Sequence, residues 1–464
     1  MKQTPFGNNF QKPSKETTIM KQHSLSVSGV RHLGIAVAIA SVILTVGASA
    51  SGPAESTLYT FLGHPDGSNP SSPVTFDKAG NIYGTAANAG MFGFGEVFEL
   101  SPPALEGDPW TENILYNFEA GSDGANPSSG VVIDDKGVLY GEAFLGSVGR
   151  GDIYELVPPA IPGGSWSTST VYLFCVDSSP CPDGNQPSGG LVSDGEGNLY
   201  GTTALGGDTL TCCGIVFKLT KPPGGGIPWT ETVLYTFLGL SSGHSDGSTP
   251  MGGVILDKDG NVYGTTLDGG DPSGCGGDGC GTVFKLSKEG GTWKESILHA
   301  FHGTGDGRGP QSGLIFDECG ALYGTASGDG VGSGNVFKLS PPTSRGGAWT
   351  ERVLYRFKGV AALDGANPQA GVVFRGKDLY GTTANGGSAS CSYGSGNVGC
   401  GTVFKLAAPA SGSGLWDETI LWNFSAGGND PVAPLTVRKG VLFGTASQGG
   451  GSSLCCGTVF ELVP

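Results

Sequence analysis

From residue 56 onward, apolar and polar positions alternate in short blocks, and no block carries the 3.6-residue period of an amphipathic helix. The pattern is clearest between residues 253 and 301. Gly253–Asp257 is a brief β-branched run. Gly260–Thr266 follows a turn, Gly281–Leu286 follows a Gly-rich loop, and Trp293–Phe301 ends the unit. Each run is rich in β-formers and bounded by Gly, Asp or Pro, so four short strands are predicted. Asp257-Lys258-Asp259-Gly260-Asn261 supplies a hairpin between the first two, because Gly and Asn tolerate positive φ.

This unit recurs. Tyr-Gly-Thr appears at Tyr83, Tyr200, Tyr263, Tyr323 and Tyr380, with variants Tyr140-Gly141-Glu142 and Phe443-Gly444-Thr445. The aromatic positions are separated by 57, 60, 63, 60, 57 and 63 residues. Seven copies of four antiparallel strands predict an all-β protein, a seven-bladed β-propeller spanning residues 51–464. A β-helix needs a much shorter rung, and independent modules would each leave an apolar face exposed. The two ends complement one another. Thr57–Phe61 matches the fourth segment of a repeat, whereas Gly457–Leu462 matches the third. Residues 56–62 are therefore expected to complete the blade of residues 434–462, closing the ring and covering two sheet edges.

Residues 1–50 read differently. Lys12, Lys15, Lys21 and Arg31 precede the apolar run Leu33–Val46, and Ala48-Ser49-Ala50 follows. These are the parts of a signal peptide cleaved near Ala50, with Met20 as a second possible start. The run is shorter than the ~20 residues of a membrane span. Five of the 25 basic residues and one of the 41 acidic ones lie there, which leaves 20 against 40 and a net charge near −20. Such a balance excludes a nucleic-acid partner and favours solubility. Glycine is abundant (85 of 464 residues) but follows no G-X-Y period, so it marks turns rather than a collagen helix.

Two acidic series repeat with the unit. Asp66, Asp123, Asp183, Asp246, Asp306 and Asp364 each open Asp-Gly-x-x-Pro between one repeat's fourth strand and the next repeat's first, and Asn429-Asp430-Pro431 is a degenerate seventh. A ring of carboxylates on one face would suit calcium or a cationic ligand; a turn-capping role fits a feature present in nearly every repeat. Asp77, Asp134, Asp194, Asp257 and Asp317 precede the hairpin glycines. Asp257-x-Asp259-Gly260 has the Gly too early for a calcium-binding loop and reads as a turn.

Ten of eleven cysteines cluster in loops: Cys175 with Cys181, Cys275 with Cys280, Cys391 with Cys400, and the adjacent pairs Cys212-Cys213 and Cys455-Cys456. In an exported chain disulfides are the default, with 175–181, 275–280 and 391–400 as local pairs and Cys319 left over. No loop combines them with His in zinc-binding spacing, and no metal ligand set is predicted. His64, His244, His299 and His302 are the histidines beyond residue 50. His302 beside Asp306 could act as base and orienter but has no candidate nucleophile. Trp110, Trp166, Trp229, Trp293, Trp349 and Trp416 begin the fourth segments, one per repeat, which suits packing at a blade edge.

Trp-Thr-Glu-x-x-Leu-Tyr-x-Phe, Gly-Asn-Leu-Tyr-Gly-Thr-Thr and Gly-Thr-Val-Phe-Lys-Leu together resemble the bacterial choice-of-anchor tandem repeat GloVer-containing proteins, over nearly all of residues 56–464. The resemblance implies an exported repeat protein and carries over no catalytic residue. Many members end in a surface-anchoring signal; this sequence stops at Pro464, directly after a strand, so a secreted, periplasmic or cell-envelope location is expected. The uniform repeats favour a monomeric, non-catalytic binding propeller for a glycan or protein. The alternative is a polysaccharide lyase or hydrolase with an acidic site over the central channel.

Overall fold

The computed structural model describes residues 52–464 apart from short loop stretches (106, 122, 147–148, 162, 177–179, 208–211, 241–244, 329–332, 345, 394–395, 411–413, 415, 426 and 451–454). The predicted signal peptide lies outside the described residues, and residues 51–464 form a unit of their own.

Seven antiparallel sheets make a seven-bladed propeller. The fourth blade runs Ile255–Leu256, Val262–Thr266, Thr282–Glu289, Thr292–Ala300, in the predicted order. Its innermost strand, Ile255–Leu256, is shorter than the apolar run Gly253–Asp257. The seventh blade has the order Thr436–Arg438, Val441–Ala446, Thr458–Val463, Ala54–Thr60. Ala54 pairs with Val463 and Thr60 with Thr458, so the N-terminal strand is its outermost member, as expected.

Packing explains the recurring words. The Gly of Tyr-Gly-Thr sits directly across from the Phe of strand three (Gly264 opposite Phe284). A Cβ at Gly264 would come 2.6 Å from the Phe284 ring, so only glycine fits. The Gly before strand three has the same logic between blades: a Cβ on Gly281 would meet Pro310 of the next blade at 2.6 Å. The Pro of Asp-Gly-x-x-Pro is thus a plug in the seam. Its predecessor takes positive φ in every repeat (Asn69, Asn126, Gln186, Thr249, Gly309, Asn367, Asp430).

The core is divided into seven clusters, each bridging two neighbouring blades. The closing seam joins Phe61, Phe443 and Val459 to Ile82, Phe98 and Leu100. Nearer the channel, the Thr of Tyr-Gly-Thr donates to a carbonyl of the next blade's entry: Thr85 to Ser129 at 2.9 Å, Thr202 to Gly252, Thr265 to Ser312, Thr325 to Ala370, Thr382 to Ala433, and Thr445 to Ser72 at 3.0 Å. In the second blade Glu142 replaces Thr and accepts from the Gly190 N–H at 2.9 Å. Every seam therefore has its hydrogen bond, in one case with the polarity reversed.

Candidate functional site

The first acidic series is built into the loops. Each Asp takes the hydroxyl of the Tyr that ends the preceding outermost strand, together with backbone N–H groups of its own loop. Tyr59 donates to Asp66 at 3.2 Å and the Leu62 N–H donates at 2.7 Å. Tyr116 donates to Asp123 (2.9 Å), Tyr172 to Asp183 (3.0 Å), Tyr235 to Asp246 (2.9 Å) and Tyr355 to Asp364 (2.9 Å). At the fifth position His299 stands for Tyr and lies 3.2 Å from Asp306. The seventh repeat corrects the expectation of a degenerate copy. Gly427 occupies the place of the carboxylate, Trp422 that of the tyrosine, and Asp430 is the positive-φ residue before Pro431. In the seventh repeat the hydroxyl and the acid that would receive it are both missing.

The hairpin series pairs similarly on the opposite side of the strands. Tyr263 of Tyr-Gly-Thr donates to Asp257 at 3.0 Å, and Asn261 donates through its backbone (2.9 Å) and its side chain (2.7 Å). Burial pushes the Asp257 carboxyl up, but these donors outweigh it and hold the group below its ordinary value. This is a turn, as expected.

Loops bearing the first series are stitched to the loops joining strands two and three, for example Gly67–Ser68 to Asn88–Ala89. Ten cysteines lie on this face and form five disulfides, 175–181, 212–213, 275–280, 391–400 and 455–456; Cys319, in a hairpin on the other side, is free and exposed. His302 has both ring nitrogens against carboxylates, Asp306 at 3.2 Å and Asp271 at 3.0 Å. The tryptophans pack in the seams: Trp166 against Tyr83, Trp229 against Tyr140 and Trp416 against Tyr323.

The channel mouth receives residues from all seven repeats, among them Ser71, Ser128, Ser188, Met251, Gln311, Gln369 and Val432. Every group lining it is uncharged, and none of the six loop aspartates reaches it. A charged concavity lies elsewhere. At the seam of the fifth and sixth blades, on the hairpin side, a cleft of about 550 Å³ is floored by Phe316, Leu354 and Phe374 and walled by Trp416. Lys338, Arg352 and Lys377 line it, with Asp317, Glu318 and the Cys319 thiol at its edge. Lys338 is ion-paired to Asp317 at 3.2 Å and lies 4.8 Å from the Tyr323 ring centre. Arg352 donates to the Gly414 carbonyl.

The model of the Gloeobacter/Verrucomicrobia repeat matches residues 44–277 and 272–464. The chain belongs to this family. No curated protein matches the sequence. Solved structures with a similar fold include a putative oxidoreductase (glucose dehydrogenase) of Thermus thermophilus, 16% identical, with a TM-score of 0.42 over 89% of this chain and 100% of that one. A putative 6-phosphogluconolactonase of Bacteroides uniformis is 16% identical, TM-score 0.47, covering 78% and 88%. The polysaccharide lyase Uly1 is 10% identical, TM-score 0.47, covering 84% and 89%. At these values the likeness says nothing about activity. Among the described residues no helix is long and apolar enough to cross a membrane.

Proposed function

We propose that this repeat protein is an exported binding propeller whose ligand is an acidic glycan, held in the cleft between the fifth and sixth blades. One observation carries the reading: Lys338, Arg352 and Lys377 line one cleft with a half-buried tryptophan, against the two acids Asp317 and Glu318, in a chain whose acidic residues outnumber its basic ones by 41 to 25. A uronate ring offers both a carboxylate for Lys338, Arg352 and Lys377 and an apolar face for the Trp416 indole. Five disulfides support an oxidising, extracytoplasmic location.

Calorimetry with oligouronates and neutral oligosaccharides of equal length tests this. Acidic oligomers should bind, more weakly as salt rises, and Trp416→Ala or Lys377→Ala should lower the affinity about tenfold. Unchanged binding by Trp416→Ala, or no preference for the acidic series, would sink the reading. Turnover of any polysaccharide that is lost on substituting the loop aspartates would replace it with the enzymatic one.

A further inference from the structure

The outermost strand of the first blade, the start of its third strand and the loop after the closing N-terminal strand bring three acids together. One carboxylate oxygen from each of Asp66, Glu96 and Glu112 lies within 4.8 Å of the others. Asp66 and Glu112 share the Tyr59 hydroxyl, which lies 3.2 Å from one and 2.8 Å from the other. Glu96 is different. Its side chain is fully buried, and neither of its oxygens has a hydrogen-bond partner. Glu112 Oε1 is likewise buried and unpartnered. Three acceptor atoms without donors therefore face one small space, an arrangement that costs far more than a turn cap would require.

We propose that Asp66, Glu96 and Glu112 hold one divalent cation of the hard, oxygen-seeking class, calcium above all. Calcium–oxygen distances of about 2.3–2.6 Å place two ligands on opposite sides of the ion nearly 5 Å apart, so one ion can touch all three carboxylates as they stand. Magnesium, at about 2.0–2.1 Å, would require them to close in.

The other seams lack the set. The position of Glu96 is held by Ile215, Thr282, Asn335, Thr402 and Thr458 in five blades. The second blade has Asp152 there, but Thr168 stands where Glu112 would be. The ion thus belongs to the seam that closes the ring and ties the closing strand's Tyr59, through Asp66 and Glu112, to the first blade. It is independent of the cationic cleft.

The test uses the full secreted chain, stripped with chelator and then titrated with terbium under tyrosine excitation, Tyr59 being adjacent to the ligands. One terbium per chain should luminesce and be displaced by calcium, and calcium should raise Tm. Glu96→Thr, which copies the residue that three other blades carry at this position, should abolish both responses; Glu96→Gln, which keeps the volume, should do the same. Glu231→Thr, at a seam with no third acid, should leave them intact. The proposal is overturned if the wild type binds no ion, or if either Glu96 variant responds like the wild type.

Discussion

A methyl group at Gly264 would collide with the Phe284 ring, and the ring cannot retreat because it is fully buried in the seam between the third and fourth blades. Gly264→Ala should therefore cost about 1–3 kcal/mol in chemical denaturation, with part of the loss recovered when Phe284→Leu is added. The second blade shows the converse, polar groups placed where the repeat is apolar or neutral. Asp152 is fully buried with both oxygens unpartnered, near Asp123 and Tyr116. Burial, then Asp123, raises it to about 8. Glu142, raised to about 7 by burial against the opposing Gly190 N–H and Ser129 bonds, adds to the effect. Both groups hold their protons in the folded chain and release them on unfolding, so the stability they confer is complete below about pH 4 and is lost as pH rises through 7 and 8. Melting followed from pH 5 to pH 9 should show stability falling, at up to about 1.4 kcal/mol per unit for each group. Asp152→Asn should flatten the slope and leave the variant more stable than the wild type at pH 9. Asn335 shows how the amide is accommodated, since it donates to the Asp306 carbonyl at 3.0 Å.

Among the elements, the closing strand is the most consequential. Phe61, just beyond it, is fully buried against Phe98 of the first blade, with ring centres 5.2 Å apart. Phe61→Ala should cost about 3–5 kcal/mol, and removal of residues 51–63 should lower Tm sharply; an unchanged Tm in calorimetry would mean that the seventh blade stands without its outermost strand. Strand order, blade number and closure were legible because they rest on local chemistry: β-formers between glycines, and two chain ends that are each one part of the same unit. The disulfides 175–181, 275–280 and 391–400 were legible for the same reason, being local, whereas the adjacent pairs 212–213 and 455–456 could equally have bridged neighbouring loops. The purpose of the aspartates was only half legible. Tyr59 and Asp66 are seven residues apart and belong to one loop, but Glu112 joins them from 53 residues away, through the ring's closure. No spacing rule announces such a contact. The cationic cleft was invisible for a related reason, since its lining comes from several strands and hairpins of two blades. Departures from the repeat, Glu142 for Thr and Glu96 for Thr, were the available signal, and their meaning depends on burial that a linear reading does not supply.

For the molecule as a whole, uniformity and function occupy different places. Many of the residues repeated from blade to blade serve the seams, and the residues described at the channel mouth are uncharged. A chain of equal blades has no preferred side until a few positions differ, and the buried acids Glu96, Glu142 and Asp152 place such differences in the first two blades. Closure by strand exchange also sets how the molecule bears load. Ala54 is paired with Val463, so chain continuing beyond either residue leaves the rim from adjacent points. Force applied between those points would peel the two strands apart one hydrogen-bonded pair after another, as a zipper opens, instead of shearing all the rungs at once. A tether joining the two exits would cancel that weakness, whereas a cargo pulling on one against the other would find the ring's easiest way to open.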